Sequence, residues 1–136
     1  MSDVREGGCL CGAARYQVDL TDAETGNCHC RDCQKQSGAP FATVTTVKAT
    51  QFKWLTKPAG EVSISELAIR RFCKECGSPL QWCGVDYADI ANINTTTLDD
   101  TSGLSIVYEI YTRSRYWGVL PVKGAAQSLS GYAELE

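Results

Sequence analysis

Cysteine is the residue through which this chain could do chemistry. There are eight, against a single histidine, and seven of them fall into three tight groups. Cys9 and Cys11 form the first group, Cys28, Cys30 and Cys33 the second, and Cys73 and Cys76 the third, with Cys83 standing apart. Sulfurs separated by one or two residues suit convergence on an ion better than pairwise bridges. The residues ahead of Cys9 contain no apolar run of signal-peptide type, so a reducing, cytoplasmic setting is expected, where stable disulfides are rare.

Cys9-Leu10-Cys11-Gly12 and Cys73-Lys74-Glu75-Cys76-Gly77 read as two halves of one site. Each sets two thiolates on a tight turn and follows them with a glycine, which can take positive φ and let the backbone fold back around an ion. Four sulfurs about 2.3 Å from zinc complete a tetrahedron and describe a closed, structural site. This pairing rests on symmetry and completeness, because spacing alone does not fix which groups share an ion. Cys28-His29-Cys30-Arg31-Asp32-Cys33 differs in supplying three sulfurs from one six-residue loop. Three protein ligands with one position left over are the arrangement of catalytic zinc. The closed alternative takes His29 or Cys83 as a fourth ligand. In an extended loop, however, His29 points away from both neighbouring sulfurs and reads better as a hydrogen-bonding neighbour of the site. Cys83, in apolar surroundings beside Trp82, reads as a buried structural thiol.

These groups need elements to hold them. Segments rich in Val, Ile, Thr, Tyr and Phe predict short strands at Ala13–Leu20, Phe41–Val47, Phe52–Leu55, Val62–Ile64, Ala68–Phe72, Pro79–Cys83, Ala88–Asn94 and Ile106–Thr112. One short helix is predicted at Arg31–Ser37, stopped by Gly38 and Pro40, with a further turn near Arg113–Trp117. The chain thus reads as mainly β, with its cysteines on connections rather than inside strands. At 136 residues, 43% hydrophobic and without internal repeats or linkers, it is expected to form a single domain over residues 1–136. A formal charge of -3 and a pI near 5.2 exclude the basic footprint of a nucleic-acid binder. No apolar run has the length of a membrane-spanning helix.

Further residues in these segments flank the cysteines. Gly8-Cys9-Leu10-Cys11-Gly12, Cys28-His29-Cys30-Arg31-Asp32-Cys33, Ser37-Gly38-Ala39-Pro40-Phe41 and Arg71-Phe72-Cys73-Lys74-Glu75-Cys76-Gly77-Ser78-Pro79-Leu80 together closely resemble the glutathione-dependent formaldehyde-activating (GFA) family. Thr97-Leu98-Asp99-Asp100 and Tyr111-Thr112-Arg113-Ser114-Arg115-Tyr116-Trp117 are similar to that family's late segment. The likeness runs from about residue 5 to about 122 and leaves the tail, 123–136, unmatched. It implies a single β-tent domain of short antiparallel strands organised around zinc, with two zinc ions per chain and carbon–sulfur lyase activity. Cys9, Cys11, Cys73 and Cys76 match the structural zinc ligands, and Cys28, Cys30 and Cys33 match those of the catalytic zinc. The implied partners are a small-molecule thiol such as glutathione and an aldehyde such as formaldehyde, joined as S-hydroxymethylglutathione or released in reverse. Neither nucleic acid nor a membrane is expected as a partner, and the oligomeric state, a homodimer included, is left open.

Substrate contacts are expected from residues near the second group. Arg31 and Gln34 are candidates for binding a carboxylate or amide, as is one of Arg70 and Arg71 for an anionic ligand. Phe41 is expected in the core. So is Trp117, with Arg113 and Arg115 reaching outward, the alternative being that these three wall a pocket. Three rival functions share the metal framework. They are a non-catalytic zinc module that binds a protein, a lyase for another small molecule, and a methionine sulfoxide reductase. The last would need Cys83 as its thiol, and no Lys, Arg or His is adjacent to activate it.

Overall fold

The computed structural model describes residues 2–135. Strands follow one another as β1 (Val4–Gly8), β2 (Arg15–Asp19) and β3 (Glu24–Cys28), then the helix α1 (Arg31–Ser37). The chain continues as β4 (Ala42–Lys48), β5 (Phe52–Thr56), β6 (Gly60–Ser65), β7 (Ala68–Phe72), β8 (Pro79–Gly84), β9 (Ile90–Asn94), β10 (Ile106–Ile110) and β11 (Ala126–Gln127). Short 3-10 turns lie at Ala49–Gln51, Thr95–Thr97, Thr112–Ser114 and Tyr132–Leu135. The mainly β expectation holds, and the short helix falls where Gly38 stops it, at φ 68° with its N–H bonded to the Gln34 carbonyl.

Two compact units interleave along the sequence. One takes the chain up to Ala23 and again from Thr45 to Ser102; the other takes Glu24–Val44 and the chain from Gly103 onward. In the first unit β1, β2 and β5 pair antiparallel, as do β6, β7, β8 and β9 in order. Strand β2 shows the period of two that burial on one face imposes, with Tyr16 and Val18 fully buried between partly exposed neighbours. Tyr16, Phe52 and Trp54 form an aromatic cluster with ring centres 4.9–6.0 Å apart, and Leu80, Ile93 and Leu98 are also buried in this unit.

The second unit is built differently. Its strands β3, β10 and β11 pair parallel, which departs from the all-antiparallel expectation. The long chain between β3 and β10 supplies the crossover that parallel strands need. Its buried residues include Thr25, Asn27, His29, Gln34, Glu109 and Ser128 beside Cys33, Ala42 and Tyr108. An interior this polar is costly unless every group is bonded, so its bonding pattern defines what the unit is for.

Strands β1 and β3 escape the propensity reading for a physical reason. Each contains glycine, which weakens a strand unless something must approach closely. A Cβ on Gly7 would sit 2.5 Å from the Tyr16 hydroxyl and 2.6 Å from the Thr97 carbonyl, and one on Gly26 would sit 2.2 Å from the Tyr108 ring. In both strands glycine makes room for a buried tyrosine on a strand paired with it, β2 for Gly7 and β10 for Gly26.

Candidate metal centres

In the first unit the two cysteine turns come together. The sulfurs of Cys9, Cys11, Cys73 and Cys76 all lie within 4.8 Å of one another. Cys9 and Cys11 are 3.6 Å apart and Cys11 and Cys73 3.7 Å. A tetrahedron with arms of about 2.3 Å has edges of about 3.8 Å, so the spacing fits zinc. Gly12 and Gly77 take φ of 83° and 80°, as the two turns require. In each turn the first cysteine and the residue five on close a backbone bond, Cys9 N to the Ala14 carbonyl and Cys73 N to the Ser78 carbonyl.

The sequence reading missed Ser78. Its hydroxyl accepts from the Leu10 N–H at 3.0 Å and lies 3.2 Å from the Cys76 sulfur, so one side chain ties both turns together. Those contacts hold the Cys76 thiol down at about 5, the hydroxyl of Ser78 contributing most and its N–H next. The Ala13 N–H is the largest single influence on the Cys11 thiol and pulls it down, but Cys9, burial, Cys73 and Cys76 together push it up to about 12. Four sulfurs packed this closely share protons until a cation replaces them, and metal binding is coupled to that release.

In the second unit the sulfurs of Cys28, Cys30 and Cys33 also lie within 4.8 Å of one another. They do not sit on a simple loop. Cys28 ends β3, Cys30 is the N-cap of α1 and Cys33 lies in its first turn, so secondary structure rather than loop geometry fixes all three. The Cys30 sulfur accepts the Cys33 N–H at 3.2 Å, the part usually played by Ser or Asp at a helix start. Crowding by Cys30 and Cys33, with burial, drives the Cys28 thiol well above its ordinary range. A retained proton or a bound cation relieves that repulsion, and three soft sulfur donors this close together suit zinc. Among the described residues no fourth His, Cys, Asp or Glu joins this group.

His29 does not join the sulfur group, and strand alternation places its side chain on the face opposite Cys28 and Cys30. It is fully buried, packs its ring 5.2 Å from half-buried Phe41, and places Nε2 2.8 Å from Oε1 of Glu109. Glu109 was not legible as a site residue. Its carboxylate also accepts from Asn27 Nδ2 at 3.1 Å, Val122 N at 2.9 Å and Gln127 Nε2 at 2.8 Å, with Arg115 Nη1 3.4 Å from both oxygens. Burial alone would raise this carboxyl; Gln127, His29, the Val122 N–H and Asn27 together hold it at about 2.

Glu109 also explains a correction. Trp117 is 90% exposed, not in the core, while Arg115 turns inward. A buried carboxylate recruits the guanidinium and leaves the neighbouring aromatic outside. Arg113 stacks on the Tyr111 ring at 5.9 Å. Arg71 pairs with Glu61 at 3.1 Å and reaches the half-buried Cys83 sulfur at 3.3 Å inside β8. Cys83 lies in the strand predicted at Pro79–Cys83, and one correction follows: it has a cationic neighbour, Arg71, supplied across the β7–β8 pairing.

A groove of about 420 Å³ runs along α1, lined by Arg31, Gln34, Lys35, Gly38, Ala39, Pro40 and Tyr116. Gln34 is buried, donates to the carbonyls of His29 at 2.9 Å and Ser114 at 2.8 Å, and accepts from Arg31. Arg31 is thereby held at the groove one residue from Cys30.

A family model described as glutathione-dependent formaldehyde-activating enzyme matches residues 4–114 of the chain. The protein belongs to the GFA family. Among similar proteins is an uncharacterized lyase of Schizosaccharomyces pombe, 29% identical over 75 residues, which are 55% of this chain and 54% of the relative. The matched segment therefore spans about half the length of that relative. A crystal structure of a Rhodobacter sphaeroides protein shares the fold at a TM-score of 0.57 and 20% identity, over 74% of this GFA chain and 90% of its own. Among the described residues of this GFA protein no helix is long and apolar enough to cross a membrane.

Proposed function

We propose that this GFA-family chain is a zinc-dependent carbon–sulfur lyase that adds a thiol such as glutathione to a small aldehyde such as formaldehyde, or runs the reverse reaction. The observation that supports this most strongly is the three-sulfur group on the β3–α1 junction, which no fourth His, Cys, Asp or Glu joins among the described residues. Cys28, Cys30 and Cys33 would hold the catalytic ion, and Cys9, Cys11, Cys73 and Cys76 the structural one. A zinc ion there supplies a charged template for an oxygen or sulfur of the reactants.

In the forward direction a sulfur–carbon bond forms, the carbonyl π bond becomes a hydroxyl, and the thiol proton ends on that oxygen, with no change of oxidation state. An unperturbed thiol is only a few per cent ionised at pH 7, so holding thiol and aldehyde together is the larger part of the task. Arg31 and Lys35 give the groove positive charge for a carboxylate-bearing thiol, and the bond from Arg31 to buried Gln34 fixes the guanidinium before substrate arrives. Such preorganisation lowers the ordering cost of binding.

The test is proton-exchange NMR of glutathione and formaldehyde with protein carrying two zinc ions. Exchange into the hydroxymethyl adduct is expected to exceed the buffer rate. Arg31→Ala is expected to raise KM for glutathione about ten-fold while leaving kcat nearly unchanged, as loss of one charge-assisted bond predicts. No acceleration by the two-zinc protein would remove this substrate pair.

A further inference from the structure

Glu109 stands at the centre of a polar stripe that crosses three strands. Asn27 of β3, Glu109 of β10 and Gln127 of β11 occupy one register position in the parallel pairings, and both amides donate to the Glu109 carboxylate. Asn27 is itself held by the Thr43 hydroxyl, which donates to its Oδ1 at 2.7 Å. Two residues beyond Asn27, on the same face, comes His29. Its ring is fully buried, yet Nδ1 has no hydrogen-bond partner, the one such buried side-chain nitrogen or oxygen among the described residues. Every polar contact of the ring is therefore made at Nε2, and the nearest is Glu109 at 2.8 Å.

The backbone of His29 is tied as firmly as its ring. Its N–H donates to the Ile110 carbonyl at 3.0 Å, one residue beyond Glu109, and its carbonyl accepts from buried Gln34 of α1. His29 is thus clamped at three points between Cys28 and Cys30. Alternation along extended backbone then dictates the consequence. With residues 27 and 29 anchored to one side, Cys28 and Cys30 must present their sulfurs to the other.

We propose that Glu109 is a positioning residue for the three-cysteine site, acting through His29 to fix the direction in which Cys28 and Cys30 present their sulfurs. A buried carboxylate with five side-chain and backbone donors is far more than β10 needs for pairing, and its anchoring of His29 is what the surplus achieves. Partners one shell out from metal ligands commonly change metal affinity 10- to 100-fold when removed. This inference rests on the proposed reading that Cys28, Cys30 and Cys33 hold an ion.

The experiment is zinc binding by chelator competition, with the visible spectrum of the cobalt-substituted protein as a second readout. The parent chain is expected to bind two ions; binding of only one would defeat the reading of the three-cysteine site, whatever Glu109 does. Glu109→Gln is expected to keep the first ion at parental affinity, to hold the second about 10- to 100-fold more weakly, and to shift that site's sulfur-to-cobalt bands. Thr45→Val breaks a buried hydrogen bond to Thr95 in the other unit and is expected to lower the unfolding midpoint without weakening either ion. Should Glu109→Gln not fold, the His29 variants decide. His29→Gln, which can still donate to Glu109, is expected to keep most of the second-site affinity, and His29→Ala is expected to lose it. A folded Glu109→Gln or His29→Ala protein that binds the second ion as tightly as the parent overturns the proposal, as would a Thr45→Val protein weakened at that site to the same degree.

Discussion

A Cys76→Ser chain is expected to be unfolded or aggregated under conditions where the parent is folded. The four-sulfur site joins β1 to β7 through two turns of two cysteines each, and two of its members, Cys9 and Cys73, are buried. Apparent free energies for structural zinc run to about 10–16 kcal/mol at pH 7, whereas whole domains are stable by about 5–15 kcal/mol. Losing even half of that binding, about 5–8 kcal/mol, is as large as the whole net stability of a domain at the lower end of that range. Serine at position 76 removes the thiol that Ser78 holds most readily ionised, and its hydroxyl is a poor ligand for a soft site. Circular dichroism and the dispersion of amide proton signals would report the loss. A folded Cys76→Ser protein retaining two zinc ions would refute a structural role for this group.

The second large effect is on function rather than folding. Cys30→Ser is expected to retain the fold and the first ion, to lose the second, and to bring exchange between glutathione and formaldehyde down to the buffer rate. The fold should tolerate the change because the Cys30 sulfur caps α1 by accepting the Cys33 N–H, and a serine hydroxyl is among the preferred caps. What serine cannot replace is the third sulfur. Zinc content per chain and the NMR exchange rate, measured on the same sample, check the prediction. Full activity in Cys30→Ser would contradict a role for this group in the reaction.

These two variants separate what the sequence makes legible from what it hides. The three cysteine groups could be picked out from spacing because such clusters are local features, the joining of the first with the third rested on symmetry and completeness, and the structure gathers the sulfurs accordingly. Strands with β-branched and aromatic residues were equally legible; Ala68–Phe72 is β7 to the residue. Hidden were the strands whose glycines serve a distant tyrosine, since nothing near Gly7 announces Tyr16 and nothing near Gly26 announces Tyr108. Hidden too was Glu109, which stands in an apolar run, Ile106 to Ile110, as an isolated charge. In retrospect a carboxylate inside a strand of that composition is the signal, because burying it unpaired would be prohibitive. The inward turn of Arg115 and the exposure of Trp117 follow from that one residue and could not be read without it.

The most direct measurement is a crystal structure of the zinc-loaded protein with anomalous data at the zinc edge. A peak is expected about 2.3 Å from the sulfurs of Cys28, Cys30 and Cys33, with water or a small molecule as the fourth ligand. A protein side chain in that fourth position, or no peak beside three sulfurs in a sample shown to carry two ions, would contradict an open catalytic centre.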